Sequence, residues 1–156
     1  MLNPKYPYAF NNLGTVYFAQ DDKRNAEKCF RKAITLNPGI ASFYINLGTL
    51  YFEWKRPEKG MAALHKALEI DPDVLTKPDT ISLAAGGSLN PSERAYLHAK
   101  VYASIGDAER SVQHLQIALN AGFTNIEALR TDKDFDPIRE DERFVSFLKT
   151  AALLVK

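Results

Sequence analysis

The chain has 156 residues, 46% apolar and 25% charged, which is the mixture of an ordinary folded domain rather than of a disordered or collagen-like chain. With 20 basic against 19 acidic residues the formal net charge is +1, so no broad field draws it to nucleic acid or to an anionic membrane, and neither is an expected partner. No run of 18 apolar residues exists to insert into a bilayer, and the single cysteine, Cys29, excludes an internal disulfide.

Taken in order, the chain repeats itself. Leu2-Asn3-Pro4 returns as Leu36-Asn37-Pro38, with Pro4 and Pro38 separated by 34 residues, so residues 1–6 read as the tail of a preceding repeat and the chain as part of a longer array. The phrase NNLGTVYF, residues 11–18, returns as INLGTLYF, residues 45–52, and the pairs Gly14/Gly48, Tyr17/Tyr51, Ala33/Ala67 and Pro38/Pro72 keep the same interval of 34. A fixed period of this length marks stacked supersecondary units.

Within residues 7–40, Phe10, Leu13, Gly14, Tyr17 and Phe18 form one stripe of a helix. The polar break QDDKRN follows, then a second stripe of Ala26, Phe30, Ala33 and Ile34, which Asn37-Pro38 ends because a residue before proline is driven out of the helical region. Residues 41–74 repeat the plan with Tyr44, Leu47, Gly48, Tyr51 and Phe52, the break KRPE with Pro57 suited to a first helical turn, and then Leu64, Ala67 and Leu68. Gly14, Ala26 and Ala33 fall where large side chains would hold paired helices apart.

Residues 75–91 contain Pro78, Gly86-Gly87 and Ser88 and read as a connection, with one short helix around Thr80 to Ala85. Asn90-Pro91-Ser92-Glu93 opens a helix as a capping box, and Gly106-Asp107 marks a turn and the next cap. This places a third, displaced unit at 92–125, with Ala99, Tyr102, Leu115 and Ala118 at the repeating offsets and His98 and Ser111 departing from them. Over 126–156, Thr124 to Glu127 reads as a capping box, Asp136-Pro137 begins a structured stretch, and Phe144, Phe147, Leu148, Ala151, Leu154 and Val155 form the stripe of a terminal helix that caps the array.

The residues Leu13-Gly14, Tyr17, Ala26, Phe30, Ala33 and Pro38, with Tyr44, Leu47-Gly48, Tyr51, Ala67 and Pro72, make the sequence resemble a tetratricopeptide repeat protein. Gly60, where the family prefers alanine, and Leu64, where it often has an aromatic, depart from the pattern. The run FDPIREDERFVSFL resembles the closing segment found in many bacterial members. The resemblance implies an all-α fold, a right-handed α-solenoid of helix–turn–helix units with a C-terminal helical cap. It also implies a non-catalytic role: holding a peptide or partner segment in the concave groove lined by the first helix of each pair.

Carried onto this sequence, the groove positions are Tyr8, Asn11, Asn12, Thr15 and Phe18; Ser42, Ile45, Asn46, Thr49, Phe52 and Glu53; and Tyr96 and Lys100. Asn12 and Asn46 share one offset, and an amide with donors and an acceptor either grips an extended ligand backbone or merely stabilises the repeat. Phe18 and Phe52 either line the groove or pack between repeats. The basic residues with which some members clamp chaperone C-termini are absent, Asn11, Ser42 and Ile45 standing at those offsets. The alternative reading is a regulatory or assembly module that self-associates, as a homo-oligomer, through its N-terminal edge near Tyr6 and Tyr8 or through its convex face.

No catalytic constellation, metal motif or cofactor loop is read from the sequence. His65, His98 and His114 are scattered, although His98 and His114 can meet across a helix pair. Cys29 lacks a positioned histidine, Gly86-Gly87-Ser88 lacks a phosphate loop's lysine, and Asp132, Asp134, Asp136 and Asp141 lack a calcium-loop spacing. The N-terminus MLNPKYPYAF lacks the plan of a signal peptide, which leaves cytoplasm and periplasm both open for a bacterial protein.

Overall fold

The computed structural model describes residues 6–77 and 89–154, and among them every regular element is helical, with no strand. The expected preceding-repeat tail, apart from Tyr6, and the short helix expected around Thr80 to Ala85 lie outside the described residues. Two compact units divide between Ser88 and Leu89. The first contains α1 (Pro7–Ala19), α2 (Lys23–Leu36), α3 (Ala41–Glu53), α4 (Pro57–Ile70) and a single 3-10 turn at Val74–Thr76. The second contains α5 (Pro91–Ser104), α6 (Ala108–Asn120), α7 (Ile126–Thr131), a 3-10 segment at Lys133–Ile138 and α8 (Glu142–Leu154).

The turns inside the helix pairs share one device. Asp21, Lys55 and Gly106 each take a positive φ, of 60°, 58° and 81°. In each turn the very next amide reaches back to a carbonyl of the finished helix: Asp22 to Tyr17 at 2.9 Å, Arg56 to Tyr51 at 2.8 Å and Asp107 to Tyr102 at 3.0 Å. A left-handed residue after a helix lets the orphan carbonyls of its last turn find donors and sends the chain back antiparallel. Two of the following helices, α2 and α6, are then capped by short acceptors, Asp22 on the Asn25 amide at 3.1 Å and Asp107 on the Arg110 amide at 3.0 Å. At α5 both hydrogen bonds of the Asn90/Glu93 capping box are formed. At α7 the cap is Asn125, one residue later than the sequence suggests, its side chain accepting from the Ala128 amide at 3.1 Å.

Small residues decide how closely the pairs approach. A Cβ on Gly14 would stand 2.5 Å from the ring of Phe30, and one on Gly48 would stand 3.0 Å from Leu64, so each glycine of a first helix seats a large residue of the second. Gly60 reverses the arrangement: a Cβ there would come within 2.5 Å of the Phe52 ring, so here the glycine lies on the second helix and the large residue on the first. Between pairs, Phe18, Ala26, Phe30, Leu47, Leu50 and Tyr51 form one buried cluster that joins α1, α2 and α3, with Ile34 and Trp54 at its margin. The Tyr51 hydroxyl closes this interface, donating to Glu27 Oε1 at 2.6 Å and accepting from Arg31 Nη2 at 2.7 Å. Burial alone would raise the Glu27 carboxyl, but those donors outweigh it and hold the group below its ordinary range.

In the second unit, Ala99 and Ala103 of α5 and Leu115 of α6 pack with Leu129, Phe135, Ile138, Phe144, Phe147 and Ala151, so the terminal elements cover the helix pair. Phe135 and Phe144 stack at 5.4 Å. The apolar stripe of α8 ends at Ala151: Leu154 is 68% exposed, and Val155 lies outside the described residues. Between α5 and α6, His98 and His114 meet edge to face at 5.2 Å, and His114 stacks on Tyr102 at 5.4 Å.

Candidate protein-binding surface

The surface singled out by the sequence lies on the first helices of the pairs, and in the first unit α1 and α3 run side by side. Asn46 Nδ2 donates to Asn11 Oδ1 at 2.9 Å across their seam, and Tyr8 meets Phe43 edge-on at 5.3 Å. Helical spacing puts Tyr8, Asn12 and Thr15 on one face of α1, and Ser42, Asn46, Thr49 and Glu53 on one face of α3.

The residues of this surface differ in what they have left to offer. Tyr8 is 43% exposed and Asn12 is exposed, while Thr15, Ser42, Thr49, Phe52 and Glu53 are half-buried. Asn11, Phe18, Ile45 and Asn46 are buried. Phe18 belongs to the cluster between pairs and Phe52 rests on Gly60, so both rings pack within the fold. The hydroxyl of Thr15 donates within its own helix to the Asn12 carbonyl at 2.7 Å.

Across the seam the amide that meets Asn46 is that of Asn11 and not that of Asn12. Asn12 and Asn46 share an offset, yet the hydrogen bond joins Asn46 to Asn11, which the sequence reading placed at another position of the groove. One step along a helix turns a side chain by about 100°, enough to exchange the seam for the open face. A single bond uses one donor of Asn46 and one lone pair of Asn11, and each amide carries more. The Asn46 carbonyl oxygen, its second N–H and the Asn11 amino group meet no acceptor or donor among the described residues.

Tyr96 and Lys100, expected in the groove, are instead engaged by their own unit. Lys100 Nζ lies 2.9 Å from Asp132 and 2.8 Å from Asp134, and the Tyr96 hydroxyl donates to Asp132 at 3.1 Å. The Tyr96 ring stacks on Phe123 at 4.6 Å. Burial and then the Asp132 charge push the Tyr96 hydroxyl pKa well up. Burial opposes the charge on Lys100, and its two carboxylate partners outweigh that penalty. These two side chains tie α5 to the segment Asp132–Ile138.

Among the described residues no three His, Cys, Asp or Glu side chains gather as a metal site, and no helix is long and apolar enough to cross a membrane. Cys29 is buried, and burial raises its thiol pKa.

The geometry can be set beside known proteins. The tetratricopeptide repeat model matches residues 7–40, and a second model of the same repeat matches 41–74. No curated protein matches the chain. The crystal structure of MamA superposes with a TM-score of 0.51 at 22% identity, over 77% of this chain and 60% of that one. The likeness is therefore one of fold, and the chain spans less than two thirds of that protein's length. Two contiguous repeat matches and helix pairs that obey the 34-residue period lead to one assignment: residues 7–74 are two tandem tetratricopeptide repeats.

Proposed function

We propose that this protein is a non-catalytic binding module that holds an extended peptide segment of a partner along the α1–α3 face. Tetratricopeptide repeats generally mediate protein–protein interaction. The observation that carries the finer reading is the Asn11–Asn46 pair, which links the first helices and leaves amide donors and an acceptor without a partner among the described residues. Amide groups there read a ligand's backbone rather than its sequence, and Tyr8, Asn12, Thr49 and Glu53 flank them with side chains that add selectivity. A flexible segment loses entropy on docking, so the affinity is of micromolar order, about −8 kcal/mol. The helix pair α5–α6 serves as a third, displaced repeat, with α7 and α8 as its cover.

A peptide library displayed on phage tests this reading. Peptides selected on the protein should lose affinity at least tenfold for a Thr49→Arg variant of unchanged helicity, since a long side chain there crosses the seam. Failure to enrich any peptide, or equal binding to the variant, would refute the assignment of this face.

A further inference from the structure

The second helices α2 and α4 both pack on α3 and scarcely touch each other, which leaves a hollow of about 280 Å³ between them. Tyr44, Leu47 and Tyr51, at i, i+3 and i+7 on α3, form its floor, and Ala62 and Ala63 of α4 extend the apolar lining. Two alanines in succession keep the hollow open, since longer side chains there would fill it. The floor lies about 160° round α3 from Ser42, Asn46, Thr49 and Glu53, so this surface is separate from the α1–α3 peptide face. Its rim is basic. Arg31 stands on α2, and Lys59 and Lys66 stand on α4 one turn to either side of the alanines. Arg31 directs Nε to Glu27 and Nη2 to Tyr51, and its Nη1 donors meet no acceptor among the described residues. Lys59 lies 5.6 Å from the Tyr51 ring and makes no ion pair among the described residues, its charge acting on Glu27 from a distance. Lys66 pairs with Glu69, but both side chains are more than half exposed, and such a pair holds weakly. Three cations therefore stand against the carboxylates of Glu27 and Glu69, over a floor where the Tyr44 hydroxyl makes no hydrogen bond among the described residues.

We propose that this hollow binds an acidic segment of a partner protein, an extended stretch in which carboxylates bracket one large apolar side chain. The lining selects this occupant by its chemistry. The floor takes an apolar group, while the Arg31 Nη1 donors, the two lysines and the Tyr44 hydroxyl all donate, and an acceptor that also carries negative charge answers them best. Spacing sets the pattern. Lys59 and Lys66 are seven residues apart on one helix, about 10 Å along its axis, a distance that three residues of extended chain span. Acidic residues three positions apart thus reach both lysines while an aromatic or leucine side chain between them enters the hollow. Complementary charge of this kind fixes the partner and its register more than it adds raw affinity.

The probes are fluorescein-labelled decapeptides with glutamates three positions apart around a phenylalanine, tyrosine or leucine, titrated into the whole chain by anisotropy. At least one should bind saturably at physiological ionic strength. Glutamine in place of its glutamates should weaken binding about tenfold, and serine in place of its apolar residue about fivefold. Lys59→Gln/Lys66→Gln in the protein should weaken the acidic peptide about tenfold. Ala62→Glu, at an exposed helical position, should do the same with helicity unchanged by circular dichroism. Lys28→Gln/Lys32→Gln removes equal charge from exposed positions outside the hollow and should change the affinity less than twofold, as should Thr49→Arg on the α1–α3 face. The proposal is overturned if no peptide binds, if the two lysine pairs matter equally, or if Thr49→Arg removes the binding. It is overturned too if serine serves as well as the apolar residue, which would leave a site for simple anions only. Dimers of the protein alone that Ala62→Glu dissolves, with no peptide bound, would make a second copy the occupant and likewise refute it.

Discussion

The two buried histidines should make the second unit sensitive to acid well above the range in which carboxylates titrate. Burial holds His98 down to about 3, with His114 and Arg94 pressing the same way, and burial holds His114 at about 4. Both titrate near the ordinary 6.5 in the unfolded chain. Below that value the unfolded state binds protons that the folded state refuses. Stability is therefore complete above roughly pH 7.5 and is lost as the pH falls from 6.5 toward 4. At about pH 5 the loss hardly depends on where the folded values lie, provided they are no higher than 4: each ring costs about 2 kcal/mol, and the pair about 4 kcal/mol or a thousandfold in the opening equilibrium. Native-state hydrogen exchange reads this directly. Corrected for intrinsic rates, protection of α5 and α6 amides should drop by about that factor between pH 7.5 and 5, or until the unit unfolds outright. His98 stands at the offset that Leu13 and Leu47 occupy in the earlier pairs, so a His98→Leu/His114→Leu variant keeps an apolar core and should lose less than tenfold. An equal loss in the variant, or none in the wild type, would refute the reasoning.

Other substitutions test the packing. Gly14→Ala drives a methyl into the fully buried Phe30 ring; overpacking of about 1–3 kcal/mol should exceed the helix-propensity gain of about 1 kcal/mol, and a wild-type melting temperature would contradict it. Gly60→Ala should destabilise by a similar amount alone and by markedly less on a Phe52→Leu background, because the far edge of the Phe52 ring is what the new methyl meets; a double-mutant cycle with no coupling would exclude that contact. Lys100→Met leaves Asp132 and Asp134 without their cation and should cost about 1–3 kcal/mol near neutral pH, measured by urea denaturation. Burial raises Asp132 while its Lys100, Asp134-amide and Tyr96 hydrogen bonds hold it below its usual range, so the gap between variant and wild type should narrow as the pH falls through the carboxylate range.

The helix pairs could be read from the chain because their signals are local. The apolar spacing, the breaks at Asn37-Pro38 and Asp71-Pro72 and the caps at Asp107 and Asn90 act within a few residues, and the structure forms each of them. Gly60 departs from the family and lies close against the Phe52 ring, a contact the offsets do not reveal, since the first pair has phenylalanine and alanine at the same two places, Phe18 and Ala26. The binding face was harder. Tyr96 and Lys100 carry no local sign of their engagement, since the carboxylates that hold them lie 32 to 36 residues further on. Asn12 and Asn46 do stand at equivalent positions, but the contact across the seam joins Asn46 to Asn11, because contact between neighbouring helices is set by the angle at which they cross and not by equal offsets. The partner of Tyr51 followed the same pattern: the sequence marks the tyrosine, and only the packing of α2 brings Glu27 and Arg31 to it.

Glu27 belongs to two structures at once, pairing with Arg31 along its own helix and receiving the hydroxyl of Tyr51 from the next hairpin. On the ribosome these partners arrive at different times, and the first hairpin is synthesised before the tyrosine exists. Until α3 emerges, the nascent α1–α2 hairpin shows solvent the greasy strip around Phe18 and Ile34 and a carboxylate only half satisfied. Arrival of the third helix covers both together, so a chain arrested before it should be a chaperone substrate and a chain arrested just after it should not.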